Sequence, residues 1–100
     1  MDIEYELRGI RFRWDAGKAK LNVEKHGVTF EQAAQIFFDP FLRYQDASTN
    51  GEQRDGAVGC DFDFRILFVV HVIEEEEHIR IISARRADPS ERKRYEDGDY

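Results

Sequence analysis

Apolar and basic residues alternate over residues 10–14, near the start of the chain. This period of two is typical of a half-buried strand, with the apolar side chains on one face and Arg11 and Arg13 on the other. Asp15 follows at the position of a helix N-cap, where its carboxylate can accept hydrogen bonds from free backbone N–H groups. The pattern therefore predicts a strand that leads directly into a helix.

The first helix is predicted over residues 16–26, because Gly27 can adopt the left-handed backbone conformation that ends helices. Helical spacing places Ala16, Ala19 and Val23 together on one apolar face. Asn22 falls among the polar residues of the other faces. We therefore expect this helix to pack on the core through its small apolar side chains.

A second helix is predicted over residues 29–38. Thr29 and Gln32 match the capping-box motif, in which each side chain bonds the backbone N–H of the other residue. Apolar residues then recur at the spacing of a core-facing stripe: Phe30, Ala33, Ala34, Phe37 and Phe38. The sequence Asp39-Pro40 ends the helix, because the residue before a proline avoids helical geometry.

Short strands separated by turn residues follow the second helix. They are predicted at residues 41–45, 54–60, 65–73 and 78–84. Gly56 and Gly59 weaken the second of these strands, for which we expect an edge position or a bulge. The third strand is apolar on both faces and is predicted to be central. Loops are predicted at residues 46–51 and 74–77, and a turn at residues 61–64.

Asp88-Pro89 opens the last predicted helix, which extends to about residue 96, because proline suits the first helical turn. The tail, residues 97–100, is expected to fray. The predicted order is β-α-α-β-β-β-β-α. Consecutive strands at hairpin spacing favour an antiparallel sheet with the helices on one side, so the predicted fold class is α+β.

Composition places the chain among small globular domains. Its 100 residues are 41% hydrophobic and 36% charged, which suits one core and one domain over residues 1–100. The longest apolar run, residues 66–70, is far shorter than the roughly 18 residues of a membrane span. The acidic N-terminus is unlike a secretory signal, so we expect a cytoplasmic protein without membrane contact. Cys60 is the one cysteine, which excludes an internal disulfide.

The net charge of −6 argues mildly against nucleic acid as a partner, but the charge is unevenly distributed. Residues 8–26 carry six Lys or Arg and two acids. The acids concentrate at residues 2–6, 74–77 and 96–99. A local cationic groove is therefore compatible with an acidic chain.

Candidate chemistry rests on His, Arg, Lys and Glu, because the sequence has no phosphate-binding glycine loop, zinc-ligand spacing or nucleophile elbow. Glu52 and Arg54 are two residues apart, so in extended backbone their side chains point the same way. Arg85, followed by Arg86, ends a predicted strand, and the arginine fork suits a phosphate. An ordinary surface ion pair remains the alternative for each. No cofactor or metal site is indicated.

The three histidines have separate interpretations. His26 could transfer protons, or it could simply lie at a helix C-terminus whose dipole favours a cation. His71 is predicted to be a hydrogen-bonded core residue of the central strand. His78 is predicted to be exposed, because it follows four glutamates. From the residues alone, the chain is a small α+β domain with a cationic site.

Several motifs occur in a fixed order along the chain. They are W-D-x-x-K-x-x-x-N from Trp14, K-H-G-V-x-F-E-x-A from Lys25, D-P at Asp39, G-E-x-R from Gly51, R-x-I-S-A-R from Arg80 and E-R-x-x-Y from Glu91. Over residues 10–95 the ordered set resembles the BrnT toxins, small ribonucleases of bacterial toxin–antitoxin pairs. Residues 1–9 lie outside the resemblance, as an N-terminal extension of a single BrnT-like domain.

The resemblance implies a fold related to the RelE toxins, an antiparallel sheet with two N-terminal helices and a C-terminal helix. It implies a metal-independent endoribonuclease that acts on RNA and inhibits translation. It also implies a BrnA-like ribbon-helix-helix antitoxin that neutralises the toxin in a hetero-oligomer. Operator DNA would be bound only through that antitoxin.

Carried onto this chain, the resemblance implies a basic site without metal. The catalytic candidates are His26, Glu52, Arg54 and Arg85. Of these, His26 or Glu52 would transfer protons, and the two arginines would clamp the phosphate. The RNA-binding candidates are Lys18, Lys25, Arg80 and Arg86.

Three functions remain open at this point. The first is the ribonuclease, and the second is a weakly active or inactive binding module of the same fold, serving as antitoxin partner and operon co-repressor. The third is a structural domain with an unknown partner. Convergence of the catalytic candidates in one open groove would favour the enzyme, and their dispersal over different faces would favour the binding module.

Overall fold

A computed structural model of the chain describes residues 1–48 and 51–98, with the side chain of Glu76 left undescribed. Six strands and three α-helices occur in these residues: β1 Asp2–Leu7, β2 Ile10–Asp15, α1 Ala16–His26, α2 Phe30–Gln35, β3 Arg43–Asp46, β4 Asp55–Cys60, β5 Ile66–Glu74, β6 His78–Arg86 and α3 Pro89–Asp97. Two 3₁₀ turns, Ile36–Phe38 and Glu75–Glu77, follow α2 and β5. The predicted loop at 46–51 and the predicted frayed tail at 97–100 lie partly outside the described residues. None of the described helices is long and apolar enough to cross a membrane.

All six strands form one mixed sheet with the order β1-β2-β6-β5-β4-β3. The predicted wholly antiparallel sheet is wrong at one pair, because β2 and β6 run parallel. After β2 the chain passes through the helices to the far edge of the sheet, and strands β3 to β6 then return as an antiparallel meander. The meander ends beside β2, in the same direction as β2. The α+β class is confirmed.

Strand β1 is the element that the sequence analysis missed, since it treated residues 1–9 as an extension. Ile3, Tyr5 and Leu7 alternate with acids along β1, and β1 pairs in antiparallel register with β2. The connection is a two-residue turn in which Arg8 and Gly9 both have positive φ, at 50° and 84°. Such turns match the twist of a hairpin. The N-terminal residues are therefore part of the sheet.

All three predicted helix starts are confirmed by their caps, that of α3 by Asp88. The Asp15 carboxylate accepts from the Lys18 backbone N–H at 2.9 Å, and Gly27 ends α1 with a φ of 67°. Thr29 and Gln32 form the complete capping box of α2. Helix α2 is shorter than predicted, because its last turn tightens into the 3₁₀ turn Ile36–Phe38 before Asp39.

The predicted apolar face of α1 is confirmed at Ala19, which packs against the core, and is wrong at Val23. Val23 is 44% exposed, whereas Asn22 is buried. The Asn22 amide group donates to the carbonyls of Val28 and Ala84, and its oxygen accepts from the Ala84 backbone N–H. Helix α1 therefore docks on β6 through a polar side chain that replaces missing sheet and helix-end hydrogen bonds.

The sheet has two unlike faces. The core face packs under α1 and α2 and contributes a continuous apolar cluster: Phe12, Trp14, Ala57, Leu67, Val69, Ile81 and Ala84, with Phe30, Ala33, Ala34 and Ile36 from the helical segment above them. Alternate strand residues point to the opposite side, here called the open face. Helix α3 lies against part of the open face, where Glu91 and Tyr95 border a small pocket with Val58. The prediction of all helices on one side is therefore wrong for α3.

The glycine-containing strand β4 lies inside the sheet, between β3 and β5, so the predicted edge position is wrong. A Cβ atom on Gly56 would lie 2.8 Å from the Phe68 ring, and one on Gly59 would lie 2.8 Å from a Leu42 methyl group. The two glycines thus allow close packing on both faces. The bulge lies one strand further on, in the β5/β6 register between Val70 and His71.

Candidate functional site

Arg85 has the most firmly held side chain among the catalytic candidates. It lies at the end of β6 and points to the open face, where its guanidinium carbon is 4.5 Å from the centroid of the Phe68 ring. Its two terminal nitrogens bond the two Glu91 carboxylate oxygens at 2.7 and 2.8 Å. This bond raises the pKa of Arg85. The cation is therefore fixed in position and permanently charged.

Glu91 makes this pairing part of the fold. Its carboxylate also accepts from the Asp88 backbone N–H, which completes the capping box at the start of α3. The Glu91 side chain is only 9% exposed, while that of Arg85 remains 36% exposed. Arginine presents five N–H donors, and the described residues occupy three of them. A second edge of the guanidinium thus stays available for an anion.

Glu52 and Arg54 form the ion pair that their spacing predicts, with an N–O distance of 2.8 Å. The pair lies just before β4, and the Arg54 backbone N–H donates to the Ser48 hydroxyl at 3.1 Å. Glu52 is largely exposed and Arg54 is partly exposed. The predicted orientation is therefore confirmed, and it is equally that of an ordinary surface ion pair.

The Glu52–Arg54 pair and Arg85 are separated along the sheet. Arg54 precedes Asp55, whose partner on β5 is His71, whereas Arg85 faces Phe68. Three residues of β5 span about 10 Å, and β4 and β6 are two strand spacings apart, about 10 Å more. The structure therefore does not bring these arginines onto one shared partner within the described residues.

His26 lies elsewhere again, at the C-terminal end of α1. Its side chain is exposed, as are those of Lys18 and Lys25 on the same helix. Because α1 packs on the core face and Arg85 points to the open face, the sheet stands between them. No described hydrogen bond or ion pair links His26 to Glu52 or Arg54. The position fits the simpler interpretation, a basic residue in the last helical turn.

The RNA-binding candidates divide into paired and exposed side chains. Arg80 donates to both Asp2 carboxylate oxygens, at 2.6 and 3.3 Å, and its Nε lies 3.2 Å from a Glu74 oxygen. These contacts, first the bond to Asp2, raise the pKa of Arg80. Arg86, like the lysines of α1, is exposed. The structure thus uses Arg80 to hold β1 and β5 against β6.

The two other histidines are both buried. His78 is only 5% exposed, so the prediction of exposure is wrong: it lies on β6 between Arg11 of β2 and Glu74 of β5, which cover it from both sides. His71 is in the core as predicted, and burial lowers its pKa. Its Nδ1 has no hydrogen-bond partner among the described residues, so the predicted full hydrogen bonding is wrong.

A pair that the sequence analysis did not assign joins α3 to the segment after α2. The Tyr95 hydroxyl donates to the Asp39 carboxylate, which also accepts from the Cys60 backbone N–H at 2.8 Å. Burial and this bond raise the pKa of Tyr95. Asp39 and Tyr95 both belong to the motifs noted above, but 56 residues separate them and no local pattern indicates their contact.

The same segment borders an apolar hollow of about 460 Å³, here called the aromatic groove. Its wall includes Phe38, Phe41, Phe62 and Phe64. Phe64 is 87% exposed and has a φ of 64°, which non-glycine residues rarely adopt. Exposed apolar patches of this kind mark interaction sites.

Across the described residues, no three His, Cys, Asp or Glu side chains lie close enough together to hold a metal ion.

Comparison with known proteins identifies a family and a similar solved structure. Residues 14–91 match the model of the family described as ribonuclease toxin, BrnT, of type II toxin–antitoxin system. The fold is similar to a 1.1 Å crystal structure of the Brucella abortus ribonuclease toxin BrnT, with 25% sequence identity and a TM-score of 0.56. That match covers 75% of this chain and 92% of the Brucella chain. No curated protein sequence matches the chain.

Proposed function

The chain belongs to the BrnT family of ribonuclease toxins of type II toxin–antitoxin systems, and from this premise we propose that it is a metal-independent endoribonuclease. It cleaves RNA in the cytoplasm and thereby inhibits translation. A BrnA-like ribbon-helix-helix antitoxin neutralises it in a hetero-oligomer, which binds operator DNA through the antitoxin. We also propose that its fold is related to that of the RelE toxins.

One observation carries the catalytic part of this proposal: Arg85 is held rigidly on the open face with one guanidinium edge unused. Preorganised cations stabilise the charge that develops on a phosphate during cleavage without having to reorganise. Arg85 also lies inside the matched segment, residues 14–91. In this role it clamps a phosphate, while Arg54 supplies a second cation and Glu52 transfers protons.

His26, Lys18, Lys25 and Arg86 are proposed as contacts to more distant parts of the RNA. All four are exposed. Single-stranded RNA can pass from one face of a small domain to another, and cations along its path attract its phosphates.

A purified preparation of the chain tests the activity directly. We expect it to cleave single-stranded RNA in the presence of a metal chelator, and to stop growth when expressed alone in bacteria. The Arg54→Ala and Arg85→Lys variants should lose both activities. Lysine keeps the charge but removes the planar fork, so Arg85→Lys tests positioning with the smallest loss of the Glu91 pair.

The matched control is Lys93→Ala on α3. Lys93 forms an exposed ion pair with Asp97, at 3.1 Å. This variant removes one positive charge at a position outside the motifs, so we expect its activity to equal that of the native chain. Full activity in folded Arg54→Ala and Arg85→Lys variants would refute the assigned roles, and cleavage that stops on adding the chelator would refute metal independence.

A second function is favoured by a specific observation, the dispersal of the catalytic candidates over different parts of the molecule. In that case the chain is a binding module that serves as antitoxin partner and co-repressor. The exposed aromatic groove supports a protein partner, because aromatic side chains are enriched in protein interfaces. A folded native chain that neither cleaves RNA nor stops growth, yet forms a complex with its antitoxin, would establish this function.

A further inference from the structure

Three acids of β1, here called the acidic row, point to the open face: Asp2, Glu4 and Glu6. They lie on the same side as Arg13, because Glu4 is the register partner of Arg13 and bonds it at 2.7 Å. Asp2 reaches across β2 and binds Arg80 on β6. The carboxylates of the edge strand β1 thus lie in a row beside the basic side chains of β2 and β6.

The arginines themselves form a compact group, here called the cation block: Arg11 and Arg13 on β2, and Arg80 on β6, with the buried His78 beside Arg11. In the parallel β2/β6 pair, Arg11 is the register partner of His78, and Arg13 that of Arg80. Register partners on adjacent strands are about 5 Å apart, so the three arginines share a small area. Arg11 and Arg13, together with Glu4, Glu6 and His78, border a hollow of about 330 Å³.

A block of like charges on adjacent strands is unfavourable unless anions compensate it. Here the acidic row supplies these anions from one side, and Glu74 of β5 supplies another. The proximity of Arg80 lowers the pKa of Asp2, and that of Arg13 lowers the pKa of Glu4. The carboxylates are therefore ionised and held by the cations.

We propose that the cation block is a binding surface for the phosphodiester backbone of RNA, and that the acidic row closes it by occupying the positions of the phosphates. The inference rests on the proposed ribonuclease function. It also explains how a protein that acts on RNA can carry acids beside its basic side chains, because displacement of the acidic row exposes the cation block.

RNA phosphates can displace the acidic row from the arginines. The side chains of Glu4 and Asp2 are 67% and 45% exposed, and exposed ion pairs exchange readily with competing ions. Strand β1 precedes the segment matched by the family model, residues 14–91, as do Arg11 and Arg13, so the acidic row and two of its cations lie outside the matched segment. A polyanion offers several phosphates at once and so competes for the whole block.

The test compares two triple amide variants with the same change in net charge. The first is Asp2→Asn/Glu4→Gln/Glu6→Gln, which neutralises the acidic row. The second is Glu31→Gln/Asp63→Asn/Glu96→Gln, which neutralises exposed acids elsewhere. Each is first shown to be folded by circular dichroism and thermal unfolding. The probe is a 2′-O-methyl oligouridine, which cannot be cleaved, and binding is measured by fluorescence anisotropy over a series of salt concentrations.

We expect the acidic-row variant to bind the probe about tenfold more tightly than the control variant. Its dependence on salt should be steeper by about 1.4 in log–log slope, about 0.7 for each of the two phosphates taken up by Arg13 and Arg80. Adding Arg13→Gln and Arg80→Gln to the acidic-row variant should return the affinity to that of the control.

Equal affinities of the two triple variants would overturn the inference, and so would a gain that survives the loss of Arg13 and Arg80. Because the probe cannot be cleaved, this result is independent of catalysis. Absence of RNA cleavage in a separate assay would refute the proposed ribonuclease while leaving the binding comparison to decide the role of the acidic row.

Discussion

Arg80 and Arg85 lie on the same strand and are bound in the same way, each through two nitrogens to the two oxygens of one carboxylate. Their partners differ in every other respect. Glu91 is buried and belongs to the capping box of α3, whereas Asp2 is 45% exposed and belongs to an edge strand. The Arg85–Glu91 pair joins β6 to the packed helix α3, whereas the Arg80–Asp2 pair connects β6 to the edge strand β1.

The bond geometry of an ion pair therefore does not by itself show whether the pair is fixed or exchangeable. A buried carboxylate with several hydrogen bonds cannot leave its arginine without a large cost, because its charge would remain unpaired. An exposed carboxylate can leave, since water replaces the arginine. We therefore regard the Arg85 end of β6 as a fixed site and the Arg80 end as an exchangeable one. Four predictions test this contrast, in order of decreasing effect.

Removal of the support beneath the Arg85 end should have the largest effect. Asn22→Ala leaves the carbonyls of Val28 and Ala84 and the Ala84 backbone N–H without their partner in a buried place. We expect a loss of about 3 kcal/mol in the free energy of unfolding, measured with urea. The neighbouring exposed Lys20→Ala is the control and should cost little. A loss below about 1 kcal/mol would show that the Arg85 end does not depend on Asn22.

Removal of the charge that holds Arg85 should have the next largest effect. Glu91→Gln keeps an oxygen for the helix cap but leaves the arginine without its counterion. We expect a loss of about 2 kcal/mol in the free energy of unfolding, less than for a fully buried pair because Arg85 is partly exposed. If urea unfolding shows no change, the Arg85 end is no more fixed than the Arg80 end.

Acidification should destabilise the region between the two ends, where His71 lies at the bulge opposite Ile81. Burial lowers the pKa of His71 in the folded protein below its ordinary value of 6.5. The unfolded chain therefore binds the proton more readily, so stability is complete above pH 6.5 and falls as the pH drops below that value. The slope should not exceed about 1.4 kcal/mol per pH unit.

Urea unfolding between pH 7.5 and 5 measures this slope, and His71→Leu should flatten it. An unchanged slope in that variant would assign the pH dependence to other groups. Asp2 and Glu4, whose pKa values are lowered, contribute only at more acidic pH, because their carboxylates stay ionised throughout this range.

Neutralisation of the exchangeable pair should have the smallest effect on stability. In Asp2→Asn the amide remains beside Arg80, which keeps its contact with Glu74. We expect the midpoint of thermal unfolding to stay within the error of the measurement. A drop comparable to that of Glu91→Gln would remove the contrast between the two ends and would make β1 a structural support.

Local chemistry made the helices predictable from sequence. Asp15 and Gly27 define the first helix to the residue, and Thr29 with Gln32 defines the start of the second. These signals act within a few residues. The direction of β2 against β6 involves residues far apart in the chain, so no local pattern could indicate a parallel pair.

The same limit applies to the candidate site. The Glu52–Arg54 pair was predictable, because alternation in an extended chain brings residues two apart to one side. The contact of Asp2 with Arg80 crosses 78 residues, and Asn22 contacts Ala84 across 62. The alternation of Ile3, Tyr5 and Leu7, with Gly9 at the turn, did contain the signal for β1. The pairing of each acid with its cation depends on the strand order and register of the complete sheet.

The parallel pair of β2 and β6 also determines when the molecule becomes complete. Arg11 and His78 are register partners although they are 67 positions apart in the chain, so β2 gains its inner neighbour only after the whole meander has formed. During synthesis, the N-terminal hairpin emerges long before β6. The cation block is therefore completed in one of the last steps of folding, when Arg80 arrives beside acids that the N-terminal hairpin already carries.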